Sequence, residues 1–229
     1  MRRNVFVLVM MMCTLLALGQ KTYNHTGVFD EYRKDWALIE KDGLFGFIDR
    51  DGVEVVKPKY HQIAKFGGYV KDWALVEKDG FYGFITLDGY EIIKTKYKTI
   101  SKFGAYRKDW ALVEKDGFFG FISSDGIEVV KPKYNDISKF GPYRKDWARV
   151  EKDGLFGFIT LDGVEIIKPK YNQILKFGAL RKNWAMVEKD GLFGFISTDG
   201  IEVIKPKYES IRKGLVLDGF VNGKKEEIN

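Results

Sequence analysis

Five tryptophans, Trp36, Trp73, Trp110, Trp147 and Trp184, stand 37 residues apart, and the chain contains no others. A period held that strictly means that one short unit has been copied head to tail, which commits the chain to a repeat architecture. It also shifts the functional expectation. Chemistry written into the unit would be present five times, whereas contact surfaces gain from repetition, so binding or scaffolding is expected ahead of catalysis.

The unit is legible in its second copy, which runs Trp73-Ala-Leu-Val-Glu-Lys-Asp-Gly-Phe-Tyr-Gly-Phe-Ile-Thr-Leu-Asp-Gly-Tyr-Glu-Ile-Ile-Lys-Thr-Lys-Tyr97. Three short runs rich in β-branched and aromatic residues are separated by Asp-Gly pairs, which supply the positive φ angles of tight hairpin turns. The first turn of each unit is Asp42-Gly43 and its copies, the second Asp51-Gly52 and its copies. No stretch shows an apolar period of 3.6, so helices are not expected. The reading is all-β: a tandem array of five 37-residue, three-stranded antiparallel meanders, open and curved or superhelical. A closed five-bladed propeller is the competitor, although its blades normally use four strands. Between meanders, apolar residues three apart (Tyr60, Ile63, Phe66) suggest a turn or short 3₁₀ connector.

The boundaries follow from the repeat. Residues 1–19 read as a signal peptide cut after Gly19, with Arg2 and Arg3 before an apolar stretch and small residues at Ala17 and Gly19. Cys13, the lone cysteine, lies in that leader behind Met12, which does not suit a lipid-attachment site, so a disulfide-free exported chain is expected. Residues 20–35 form an N-terminal lead, 36–212 the array, and 213–229, with Asp218-Gly219 and Asn222-Gly223, a capping hairpin. Loss of Arg2 and Arg3 lowers the net charge from +6 to +4. That is too diffuse for nucleic-acid binding, and no stable membrane span is expected after cleavage.

At this level of detail the unit resembles the bacterial WG repeat. The resemblance rests on Glu-Lys-Asp-Gly, aromatic-Gly-Phe-Ile, Asp-Gly and Glu-Val-Val-Lys-Pro-Lys-Tyr, and covers about residues 29–212. The Trp-Gly that names the family is here Phe45-Gly46, Tyr82-Gly83, Phe119-Gly120, Phe156-Gly157 and Phe193-Gly194. The resemblance implies an exported or surface-associated bacterial protein without catalytic activity, and specifies no ligand.

Two ladders are candidate binding features. The tryptophans could stack on sugar rings or pack against phenylalanines of the next unit. Arg149, two residues beyond Trp147, suggests that their strand face reaches solvent. The lysines Lys57/Lys59, Lys94/Lys96, Lys131/Lys133, Lys168/Lys170 and Lys205/Lys207 could line a basic strip, or guard an edge strand against aggregation. Glu54 and its copies dilute that charge. The glycine of each aromatic-Gly pair is expected to seat an aromatic ring from an adjacent strand. Asp49-Arg50-Asp51-Gly52 begins like a calcium loop but lacks the later ligands. His25 and His61 do not recur, and no metal spacing, phosphate loop or nucleophile stands out. No cofactor and no catalytic residue is assigned. The expected function is a multivalent protein–protein or cell-envelope scaffold module, periplasmic, secreted or at the cell surface. The alternative is glycan binding through the tryptophans.

Overall fold

The structure is a computed structural model that describes residues 22–213 and 217–228. The expected leader lies outside them. Strands β1 (His25–Thr26), β2 (Trp36–Lys41), β3 (Leu44–Asp49) and β4 (Glu54–Tyr60) form the first antiparallel sheet, in that order. The second sheet is β5 (Gln62–Ile63), β6 (Trp73–Lys78), β7 (Phe81–Thr86) and β8 (Glu91–Tyr97). The same cycle gives β9 to β12 over 99–134, β13 to β16 over 136–171 and β17 to β20 over 173–208. A sixth sheet closes the array with β21 (Ser210–Lys213), β22 (Leu217–Val221) and β23 (Lys224–Glu227).

Each repeat sheet therefore has four strands rather than three. The fourth comes from the connector, which is extended rather than 3₁₀: Ile63 pairs with Val76 and Gln62 with Glu77. Two residues are too few to show an alternation, and their hydrogen-bond partners belong to the next unit. The two turns of each meander also differ. Asp42 and Gly43 both take positive φ (53° and 76°), as the tightest hairpin requires. In the second turn only Gly52 does (79°), and its amide donates to the Asp49 carbonyl at 3.1 Å, a turn closed by one left-handed glycine.

Successive sheets stack face to face. Trp36, Phe47, Val56 and Tyr60 of the first sheet share a core with Ala74, Val76 and Ile85 of the second. The pattern recurs at each junction, for example Trp110, Phe121, Val130 and Tyr134 against Ala148, Val150 and Ile159. Strand alternation explains it: large rings occupy one face of a sheet and Ala, Val and Ile the other, so large meets small across each junction. The ends are covered by the chain itself. Tyr23 and Phe29 pack on Ala37, Ile39 and Ile48, and Ile228 packs on Phe195 and Tyr208. With both terminal faces occupied and no strand shared between the first and last described sheets, the array is open.

Candidate functional site: the ladders and the edge-strand strip

The tryptophans are inside. Trp36, Trp73, Trp110 and Trp147 are only 3–7% exposed, and Trp184 is half-buried. Trp110 lies 5.3 Å from the Phe121 ring on its own sheet and 6.1 Å from Phe140 in the connector that follows. Its remaining face carries the Arg107 guanidinium, 4.7 Å from the ring centroid. Arg33, Arg144 and Arg181 cover Trp36, Trp147 and Trp184 in the same way. Arg107 also donates to the Leu161 carbonyl at 2.5 Å, in a turn of the next sheet; Arg144 bonds to the Thr198 carbonyl, and Arg181 to that of Ile228 at 3.3 Å. Arg107, Arg144 and Arg181 thus each lid an indole and clip two sheets together, while Arg33 lids Trp36. Four indoles have no face left for a sugar ring, so the ladder is a packing device. The inference from Arg149 fails for a local reason: its strand passes from buried at Trp147 to half-buried two residues later.

The lysines divide by position. The second of each pair reaches across to a glutamate: Lys59 to Glu91 at 3.3 Å, Lys96 to Glu128 at 2.8 Å, Lys133 to Glu165 at 2.9 Å and Lys170 to Glu202 at 3.5 Å. The neighbouring tyrosine hydroxyl donates to the same carboxylate, from Tyr60 at 2.8 Å, Tyr97 at 2.6 Å, Tyr134 at 2.6 Å and Tyr171 at 3.1 Å. Tyr23 makes the equivalent bond to Glu54 at 3.1 Å, and Lys207 ends the series on Glu226 at 2.8 Å. These lysines are inter-sheet latches, neither a free basic strip nor simple edge guards.

The latch shifts both partners. Burial works against ionisation of Glu91, but the Tyr60 hydroxyl and the Lys59 ammonium outweigh it and hold the carboxyl below its usual range. Glu128 and Glu165 are lowered on the same balance. Burial first, then the facing carboxylate, drives the Tyr60, Tyr97 and Tyr134 hydroxyls well above their ordinary value. A lowered carboxyl pKa stabilises the fold above the unfolded value of about 4.3 and loses that contribution as pH falls through the folded value. A raised tyrosine pKa stabilises below about 10 and is lost at higher pH. The urea midpoint is therefore expected to drop on both sides of the range between those values. Glu91→Gln, Glu128→Gln and Glu165→Gln together should flatten the acid limb, and an unchanged limb would show that the latch contributes nothing to acid lability.

The first lysine of each pair, Lys57, Lys94, Lys131, Lys168 and Lys205, is exposed, and its ammonium forms no ion pair or hydrogen bond among the described residues. A bulge places it. Phe45 pairs with Tyr60 and Phe47 with Val56, so Gly46 alone faces the three residues Lys57-Pro58-Lys59. A Cβ on Gly46 would lie 2.3 Å from the Val56 carbonyl oxygen and 2.6 Å from the Pro58 nitrogen. The glycine therefore seats the backbone of β4, not an aromatic ring, and Pro58 sits where no ladder donor is needed.

A third ladder adjoins these lysines. Val53, Tyr90, Ile127, Val164 and Ile201, each directly after the second turn glycine, are 59–75% exposed. Their neighbours two residues on, Val55, Ile92, Val129, Ile166 and Val203, are half-buried or exposed. The turn glycine of the following sheet lies against them. A Cβ on Gly89 would meet a Val56 methyl at 2.9 Å and the Val55 carbonyl at 3.0 Å, whereas Gly52, which no sheet precedes, has nothing within 4 Å. One side of the array thus repeats two apolar side chains and one free lysine in every sheet.

The glycine-centred bulge recurs wherever the family pattern is found: the WG containing repeat matches residues 45–80, 82–117, 119–156, 156–193 and 193–213. The chain belongs to the WG containing repeat family. In these WG repeats phenylalanine or tyrosine replaces the tryptophan before the glycine, and the glycine is the part that the geometry requires. No curated protein sequence matches the chain. Similar solved structures include Hsv2p of Kluyveromyces lactis, at 11% identity over 79% of this chain and 63% of that one (TM-score 0.27). BamB of Moraxella catarrhalis is similar at 12% identity over 88% and 82% (TM-score 0.22). PorZ, a surface component of the type-IX secretion system of Porphyromonas gingivalis, is similar at 9% identity over 90% and 32% (TM-score 0.29). The chain thus spans under two thirds of the Hsv2p chain and about a third of PorZ.

Other singled-out residues have local work. The Asp49 carboxylate accepts from the amides of Asp51 and Val53, at 3.0 and 2.8 Å, closing its own turn as the Ser123 hydroxyl does in the third WG repeat. His61 accepts from the Asp79 amide at 3.2 Å. Among the described residues no group of three His, Cys, Asp or Glu side chains could hold a metal ion, and no helix is long and apolar enough to cross a membrane. The Val53 ladder was missed on sequence because an apolar residue after Asp-Gly reads as the first residue of a buried strand. Its signal is that all five copies are large and apolar at a turn.

Proposed function

We propose that this protein is an exported, non-enzymatic interaction module that binds a protein partner of the cell envelope through one strip presented five times. The observation that carries the reading is the Val53, Tyr90, Ile127, Val164 and Ile201 ladder, apolar in every copy and exposed in every copy. Large apolar side chains exposed at the same place in every repeat suit a contact surface. Lys57 and its copies add a free cation beside each step, which favours an acidic partner surface. Repetition turns weak contacts into avidity. Export rests on the leader read in residues 1–19.

The test is a series of chains in which the ladder residues are replaced by serine one, two and three at a time, starting from Ile127. Binding to isolated envelope protein is then measured for each. Each replacement should cost about 1 kcal/mol, a factor of about 5 in affinity, since half a Val or Ile side chain is buried per contact. Complete loss on a single replacement would instead indicate one composite site, and no loss would remove the strip from the reading.

A further inference from the structure

We infer that the slot between Tyr32 and Phe45 on the first sheet is a receptor for a guanidinium group, supplied as an arginine side chain by a partner protein. The slot lies at the opposite end of β3 from Val53, the ladder's first step, and does not depend on it. Its walls recur as Tyr69 and Tyr82, Tyr106 and Phe119, and Tyr143 and Phe156, with Leu38, Leu75, Leu112 and Arg149 as the strand residue between them.

The fourth sheet shows what the slot accepts. There the chain fills it with its own arginine. Arg149 donates to the Tyr143 hydroxyl at 2.7 Å. Its guanidinium carbon lies 4.5 Å from the Phe156 ring centroid and 5.4 Å from that of Tyr143. A planar, weakly hydrated guanidinium suits such a site, because it can stack and donate at once.

In the first sheet the walls are the same and the internal arginine is missing. Leu38 leaves a cavity of about 280 Å³ bounded by Tyr32, Leu38, Phe45, His61, Gln62 and Ile63. The Tyr32 hydroxyl, the counterpart of the acceptor used by Arg149, has no hydrogen-bond partner among the described residues. The Tyr32 ring already draws one cation: the Lys65 ammonium lies 5.8 Å from its centroid, held by Glu31 at 3.5 Å. The fifth sheet, with Leu180 and Met186 at these positions, lacks the slot.

The experiment titrates the protein with N-acetyl-arginine methylamide and with its citrulline counterpart, which has the same shape and no charge. The aromatic proton resonances of Tyr32 and Phe45 are followed. The arginine probe should shift both saturably at millimolar concentration, and the citrulline probe should not. Leu38→Arg copies the fourth sheet and should weaken probe binding at Tyr32 and Phe45 at least tenfold. Arg149→Leu should add shifts at Tyr143 and Phe156, which the internal arginine otherwise blocks, to those of the leucine-lined slots. An equal response to citrulline, or undiminished binding by a folded Leu38→Arg chain, overturns the assignment. Should Leu38→Arg fail to fold, Tyr32→Phe removes only the acceptor: at least threefold weaker binding supports the site and unchanged binding overturns it. The strip replacements should leave this titration unaltered, so the two readings fail separately.

Discussion

A Gly120→Ala chain is expected to lose at least about 3 kcal/mol of stability, the scale of overpacking that cannot relax. The added methyl would lie 2.3 Å from the Val130 carbonyl oxygen, 2.6 Å from the Pro132 nitrogen and 2.8 Å from the Lys131 carbonyl carbon. All three are backbone atoms, so no rotamer change relieves the clash. The bulge would have to open, and it carries both the free Lys131 and the latched Lys133. Gly117→Ala is the control. It takes φ of +79° but has nothing within 4 Å, so it should cost only the left-handed penalty of about 1–2 kcal/mol. Urea melts of the two variants decide the matter. A Gly120→Ala cost no larger than that of Gly117→Ala would mean that the bulge is not what the glycine serves.

Trp110→Ala should destabilise the chain by about 3–5 kcal/mol, the usual cost of removing a buried tryptophan. The loss would fall on one junction, because Trp110 packs between its own Phe121 and the Ala148, Val150 and Ile159 face of the next sheet. In a solenoid such a term is shared with nearest neighbours only. Trp184→Ala should cost less: the indole is half-buried and has one ring partner among the described residues, Phe195 at 5.6 Å. Fluorescence gives an independent check. The emission should be blue-shifted and largely protected from acrylamide, with one accessible component that Trp184→Phe removes. Red-shifted emission quenched uniformly from all five indoles would contradict their packing between sheets and restore the ladder as a surface.

The candidate site was only partly legible. The paired lysines were visible as a ladder, but not that one member of each pair latches and the other is free. That division depends on which carboxylate the next sheet brings within reach. The spacing of 31 residues from Tyr60 to Glu91 acquires meaning only when two sheets are stacked. Likewise, the aromatic-Gly pair signals close approach by something, and the partner turned out to be the Lys57-Pro58-Lys59 backbone rather than a ring.

The sequence by itself determined the all-β class, the period, the turns at each Asp-Gly and the membership of the repeat family. Those features are local: they follow from φ preferences and alternation within a few residues. Only the tertiary structure decided the fourth strand, the burial of the tryptophans under Arg33, Arg107, Arg144 and Arg181, the latches, and the exposure of Val53 and its copies. The reason is physical. Trp110 and Glu91 find their partners in an adjacent sheet, and Ile63 pairs with a strand of the following repeat, so their roles are set by how one repeat meets the next.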